Sequence, residues 1–252
     1  MKRGRIVLVK KMSKTGILIL LVMVSVGASL RGQDLPEWYN QLRDAVYSQD
    51  LSSRDIADLY NSARAEAEKE LFGPALSIMY SRCEYMMGRA LLYEENKQDA
   101  APYLERGMNY AQEALDQKAS SPAWEMLAEN LSQLCTVRST AWLMANGGKV
   151  VKYAQNAVDL DPGNTAAQYL IAARWIYAPA PFRNIKKGIQ MLQAILMYHN
   201  DRLQKDGRFN VYSSLGYAST LQKNNGDAKE WLSRALQVYP DNKFVGKMLA
   251  GL

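Results

Sequence analysis

Four small residues, Gly88, Ala128, Ala172 and Gly216, recur at steps of 40, 44 and 44 residues. Each follows a large apolar residue (Met87, Leu127, Ile171 and Leu215) inside a helix-like segment: "EYMMGRALLY", "SPAWEMLAENL", "TAAQYLIAARW" and "VYSSLGYASTL". A second amphipathic segment follows each one. It carries Gly107, Ala111 and Ala114; then Ala154 and Ala157; then Gly188, Leu192 and Ile195; then Ala228, Leu232 and Ala235. Small residues on facing stripes let two antiparallel helices approach closely, and the large neighbours fill the space beside the contact. Pro162 and Pro240, 78 residues apart, cannot continue the second helices, so the chain turns and begins again. A repeat of this length means stacked two-helix units that bury a core only against their neighbours.

Composition agrees. The chain has 252 residues, 48% hydrophobic and 22% charged, which is that of an ordered globular protein. The formal net charge of +6 is not spread evenly. Lys2, Arg3, Arg5, Lys10, Lys11, Lys14 and Arg31 lie in the first 32 residues with no acid, and the remaining 24 bases face 25 acids. No later segment concentrates Lys and Arg, so nucleic acid is not an expected partner.

The unit "VYSSLGYASTLQKNNGDAKEWLSRALQVYPDN" resembles the tetratricopeptide repeat (TPR) family. Tyr212, Leu215, Gly216, Ala228, Leu232, Ala235 and Pro240 stand at that family's spacings, with Ser219 where a tyrosine is usual. The period near 40 exceeds the family's roughly 34, so the units are expanded. The resemblance covers about residues 74–242. It implies an all-α fold of antiparallel helix pairs stacked as a right-handed TPR-like solenoid, acting as a protein-interaction module. The expected organisation is four units over 74–242, an N-terminal helical pair or cap over 33–73, and a C-terminal capping helix over 243–252. Within the first pair, Leu35–Ser48 reads as an amphipathic helix, and Ser52 or Ser53 caps a second that stops at Gly73-Pro74. "NNGD" reads as the turn between the last two repeat helices, with Asp227 as a cap, and "NGG" at Asn146–Gly148 as a turn between helices.

Residues 1–32 read as an export signal: a basic start, the apolar run Ile17–Val26, then Gly27, Ala28 and Ser29. Cleavage after Ala28 and after Gly32 both fit, and Met12 offers a second start. Uncleaved, the segment would be the protein's membrane contact, although its apolar stretch is short for a span of about 20 residues. The expected location is periplasmic or otherwise extracytoplasmic, soluble after cleavage. An exported bundle of this kind also resembles the T component that accompanies periplasmic TRAP transporters, whose helices enclose a pore-like cavity. That resemblance implies, as the alternative, a ligand-binding or accessory role in transport.

Nothing points to catalysis, a metal or a cofactor. His199, in "LMYHND", ends a helix, where its charge suits the dipole. No nucleophile–base pair, metal spacing or phosphate loop occurs. Cys83 and Cys135 fall about twelve residues apart in helix register, which is roughly 18 Å along the axis. A bridge needs Cα atoms within about 7 Å, so both are expected to be free and mostly buried. The sequon at Asn130 lies inside a helix and is read as chance.

The functional candidate is therefore a surface. In such arrays the first helices of successive units line a concave groove. The helical period projects Arg82, Tyr85, Arg89 and Tyr93 onto it, then Glu125, Glu129 and Gln133, then Tyr169, Ala173 and Tyr177, then Asn210, Ser213 and Tyr217. Tyrosines offer large contact area, few rotamers and a polar tip, which suits recognition of a protein or peptide. One corner breaks the pattern: "RWIYAPAPFRNIKKG", where Ala172 and Gly188 stand 16 apart instead of the 12 between Gly216 and Ala228. Two readings of it stand: Trp175 and Phe182 pack beneath a proline-stiffened corner, or Tyr177, Phe182 and Arg183 point outward at the groove rim.

Overall fold

The computed structural model describes residues 35–252, and the expected export signal lies outside the described residues. No strand occurs among the described residues. Helices α1 (Glu37–Ser48) and α2 (Ser53–Glu70) form the first pair. Then come α3 (Pro74–Tyr93) with α4 (Lys97–Gln117), α5 (Ser121–Val137) with α6 (Thr140–Leu160), α7 (Thr165–Tyr177) with α8 (Ile185–Tyr198), and α9 (Lys205–Leu221) with α10 (Asn225–Val238). A closing helix, α11, spans Lys243–Ala250. The fold is all-α: antiparallel helix pairs stacked in the TPR-like manner.

Helix starts are written in the local sequence. Ser52 and Asp55 form a reciprocal capping box at α2. Five helices use one device, an asparagine whose side chain accepts the backbone N–H three residues on: Asn96, Asn164, Asn184, Asn224 and Asn242. At α10 the cap is thus Asn224, not Asp227, which lies in the first turn where its charge suits the dipole. The expected turn at Asn146–Gly148 is also corrected. Helix α6 starts at Thr140, capped by Ser139, and runs through both glycines. Asn146 Nδ2 donates to the Trp142 carbonyl at 3.0 Å, turning a usual turn residue into a helical one. Trp142 packs against the core, and this burial outweighs about 1 kcal/mol of helix propensity lost per glycine.

The small residues lie where the helices touch. A Cβ on Gly88 would come within 2.7 Å of Leu104, one on Gly188 within 2.5 Å of Ile176, and one on Gly216 within 2.6 Å of Leu232. Ala128, Ala172 and Ala228 have no exposed surface. Gly107 makes room for Asn130, whose amide donates to Ser81 Oγ (3.1 Å) and to the Met126 carbonyl (2.9 Å), so the sequon's asparagine is fully buried between α3, α4 and α5. Cys83 and Cys135 are free, the first buried and the second partly so. Burial pushes the Cys83 thiol up to about 12 and the Cys135 thiol to about 11, leaving neither a thiolate nor a nucleophile near neutral pH.

Helices α3, α5, α7 and α9 touch in succession and form one layer, with α4, α6, α8 and α10 outside it. The first pair does not simply extend this stack. Helix α1 buries Tyr39, Leu42, Arg43, Val46 and Tyr47, a stripe at three- and four-residue spacing, and packs on α2, on α3 and on the distant α9. Asp44 accepts bonds from Lys205 Nζ and Tyr239 OH, both at 2.8 Å. The Tyr47 carbonyl accepts from Asn242 (2.6 Å), and Gln49 Oε1 from the Phe244 N–H (3.2 Å). The Tyr47 ring stacks on Tyr239 and meets Phe209 edge-on, with centroids 5.3 and 5.6 Å away. The first helix of the array is thus bound into its last unit.

Gly216→Ala forces Leu232 from its seat and is expected to cost about 1–2 kcal/mol net of the gain in helix propensity, seen as a lower midpoint in urea. Tyr47→Ala empties a fully buried ring site and is expected to cost about 3–5 kcal/mol, seen as a large drop in Tm. Tyr47→Phe, which loses one hydrogen bond, should cost about 1 kcal/mol.

Candidate binding surface on the inner helices

The residues projected onto the groove divide into a closed half and an open half. In the closed half, Arg82 Nη2 meets Glu125 Oε1 at 2.8 Å, and Glu125 Oε2 accepts from Asn164 at 2.7 Å, tying α3, α5 and the start of α7 together. Arg82 and Glu125 serve each other. Tyr85 is 4% exposed, with its hydroxyl accepting from Arg89 Nη1 at 2.9 Å. Asn210 donates to the hydroxyl of Tyr47 at 2.9 Å, and Ser213 is turned back onto the Asn210 carbonyl. Helix α1 covers this half, correcting the expectation of an open groove along all four units. Its Tyr47 ring lies 4.5 Å from the Arg89 guanidinium carbon, and the Arg43 guanidinium stands 3.7 Å from Asp206.

The open half is built on α5, α7 and α9. Tyr177 and Tyr217 stack with centroids 5.3 Å apart and planes 5° from parallel. Ser214 Oγ lies 3.0 Å from both the Tyr169 and the Tyr177 hydroxyls, so one buried serine holds two rings. Burial raises the pKa of both phenols, keeping them neutral. Tyr177 is nevertheless 50% exposed as a residue: its tip is anchored and its body faces outward. Tyr93, Glu129, Gln133, Tyr169 and Tyr217 are each partly exposed.

Glu129 is the unusual member. Its carboxyl has no salt-bridge partner among the described residues and is sunk among other side chains. Burial first, then the neighbouring Glu125, pushes its pKa up to about 8, against the pull of Arg82 and Arg89. The sign is clear: the unfolded carboxyl ionises near pH 4 to 5, whereas the folded one stays protonated to about 8. Stability therefore falls as pH rises through that window. Glu129→Gln should raise Tm at pH 8 relative to the parent and leave it nearly unchanged at pH 4.5, checked by thermal unfolding across that range.

The corner between α7 and α8 resolves in favour of outward-facing side chains. Phe182 is 49% exposed, and Arg183 is exposed, its Nε donating to the Ala178 carbonyl at 3.0 Å. Phe182 does not pack beneath the corner. Trp175 does lie partly buried there, with Lys187 Nζ 4.0 Å from its ring. His199 caps the end of α8 and borders an apolar crevice with Val158, Ile171, Met191 and Tyr198. The projection overlooked Ser214, which clamps the two tyrosines, and Tyr39, Arg43 and Tyr47, which fill the closed half. The heptad-like stripe of α1 showed in the sequence; its target did not.

No family model matches the chain, and no curated protein matches it. Among solved structures it is similar to the crystal structure of YrrB, described as a TPR protein with an unusual peptide-binding site. That match is 14% identical, covers 91% of this chain and 97% of that chain, and has a TM-score of 0.37.

Proposed function

We propose that this protein is a non-enzymatic interaction module, exported from the cytoplasm, that binds a protein or peptide segment on the open half of its inner helices as a scaffold or assembly factor. One observation carries the reading. The inner layer already holds one amphipathic helix, α1, by an edge-on ring contact with Phe209, a cation–π contact with Arg89 and a hydrogen bond to the Tyr47 hydroxyl. The open half offers the same chemistry without an occupant from the described residues: a parallel tyrosine pair, a shared serine clamp, and partly exposed Gln133 and Tyr93. Rigid aromatic bodies with anchored tips lose little entropy on binding, which is the usual make-up of a recognition hot spot. Export is supported by the arrangement of the first 32 residues, and no described helix is long and apolar enough to cross a membrane.

The test places a photo-crosslinking amino acid at Tyr177, at Tyr217 and, as a control, at the exposed Phe72, in the full chain produced in its own cells. Discrete adducts in the extracytoplasmic fraction from the two inner positions, and none from Phe72, are expected. Tyr177→Ala and Tyr217→Ala should each weaken capture about tenfold, a hot-spot loss of roughly 1.4 kcal/mol. Absence of adducts from both inner positions, or recovery of the chain only in the cytosolic fraction, overturns the reading.

A further inference from the structure

Beside the small contact of each unit stands a second pair of positions. One lies on the first helix, four residues before Gly88, Ala128, Ala172 or Gly216. The other lies on the second helix, one residue before Leu104, Ala154, Leu192 or Leu232. These four are equivalent: Leu104 faces Gly88 as Leu232 faces Gly216, and Ala154 and Leu232 each stand eight residues before the closing proline. In the second unit the pair is Trp124 and Tyr153, with ring centroids 5.5 Å apart. In the fourth it is Tyr212 and Trp231, 5.8 Å apart. In the first, Tyr103 meets Tyr60 edge-on, and Glu84 is met by Arg64 and Arg106. In the third unit the pair is Gln168 and Met191, and neither is a ring.

A crevice of about 290 Å³ opens at that place, between α6 and α8. Gln168 and Met191 line it together with Val158, Ile171, Ala194 and Tyr198. None of its lining residues is an aspartate, glutamate, lysine or arginine. Its two glutamines are tied back into the chain, Gln168 Nε2 donating to the Pro162 carbonyl at 2.6 Å and Gln155 Nε2 to Asp159 at 2.8 Å. Close-packed helices leave few apolar voids, because an unfilled space forfeits contacts along its lining. The other three units place rings at the equivalent position. The third lacks the rings and keeps the space.

The lining says what fits. A charge placed there would lose water and find no counter-charge, so the occupant is neutral. The volume is at the low end of sites that enclose a free small molecule, and Tyr198, 70% exposed, leaves one side open. A ring carried on a backbone is covered on that side by its own chain. We infer that this crevice receives one uncharged aromatic side chain of a protein partner, an indole or phenol ring that completes the third unit as Trp124 and Tyr153 complete the second. The site is separate from the inner face. Helix α7 turns Tyr169 and Tyr177 towards Ser214 on α9, and Gln168 and Ile171 towards the crevice. Two such surfaces allow one chain to hold two partners.

The test is NMR titration of the full chain, labelled at its methionine and isoleucine methyl groups. The probes are acetyl-Gly-Trp-Gly-amide, the matched acetyl-Gly-Ala-Gly-amide and free indole. The tryptophan peptide is expected to shift the Met191 and Ile171 signals saturably and to bind at least about tenfold more tightly than the alanine peptide. Indole should bind more weakly than the tryptophan peptide. Gln168→Trp and Met191→Trp fill the crevice from either wall, and each should abolish the Ile171 shift. The ratio between the two peptides on the parent chain stands as a test even if a filled variant fails to fold. An equal response to both peptides, or an Ile171 shift that persists in both folded variants, overturns the site. Indole binding as tightly as the tryptophan peptide overturns the protein partner in favour of a free aromatic molecule. Cross-linking from Tyr177 and Tyr217 bears only on the inner face, so the two readings fail separately.

Discussion

Tyr47 has no exposed surface, and the ties that join the first helix to the last unit pass through it and its neighbours on α1. Its ring is stacked on Tyr239 and edged by Phe209, its hydroxyl accepts from Asn210, its carbonyl accepts from Asn242, and its outer face covers Arg89. Stacked helix pairs ordinarily touch only their neighbours in sequence, so stability spreads along the stack and the two ends are independent. Here α1 joins the beginning to the end across the inner layer. The array gains contacts of very long sequence separation, which a simple stack lacks, and part of its inner surface is taken by a resident helix.

That occupation decides what the inner helices do. Helix α1 covers Arg82, Tyr85 and Asn210, which would otherwise line a groove. What remains is a compact surface on α5, α7 and α9, walled by Tyr169 and Tyr177, whose hydroxyls meet Ser214, and by Tyr217, stacked on Tyr177. The electrostatics divide the same way. Paired charges such as Arg82–Glu125 hold neighbouring units in register, because breaking a desolvated pair is costly. Arg89 is met by the hydroxyls of Tyr85 and Tyr93 and by the Tyr47 ring, and Glu129 is a carboxyl held protonated by burial.

The repeat was legible because close helix packing is written in adjacent letters. A small residue beside a large one, four times over, sets which face of each helix meets its partner, and Gly88, Gly188 and Gly216 lie against large side chains of their partner helices. Cap asparagines are equally local. The misread stretches were those where a local preference met a tertiary demand. "NGG" favours a turn, yet the burial of Trp142 carries α6 through it. At the proline corner, where both readings stood, the tight return from Trp175 to Asn184, closed by a 2.9 Å backbone bond, leaves the Phe182 ring outside.

Spacing and composition by themselves determined an all-α stack of antiparallel pairs, the faces that touch within each pair, the unpaired state of both cysteines, and a set of tyrosines on the first helices. These follow from contacts between residues close in sequence, where helical period alone places side chains. Which of those tyrosines are core and which are surface was decided only by the tertiary structure. The apolar stripe of α1 announces that it must be buried but carries no address. Only when the stack brings α3, α9 and the start of α11 around one space does that stripe find the surface that fits it.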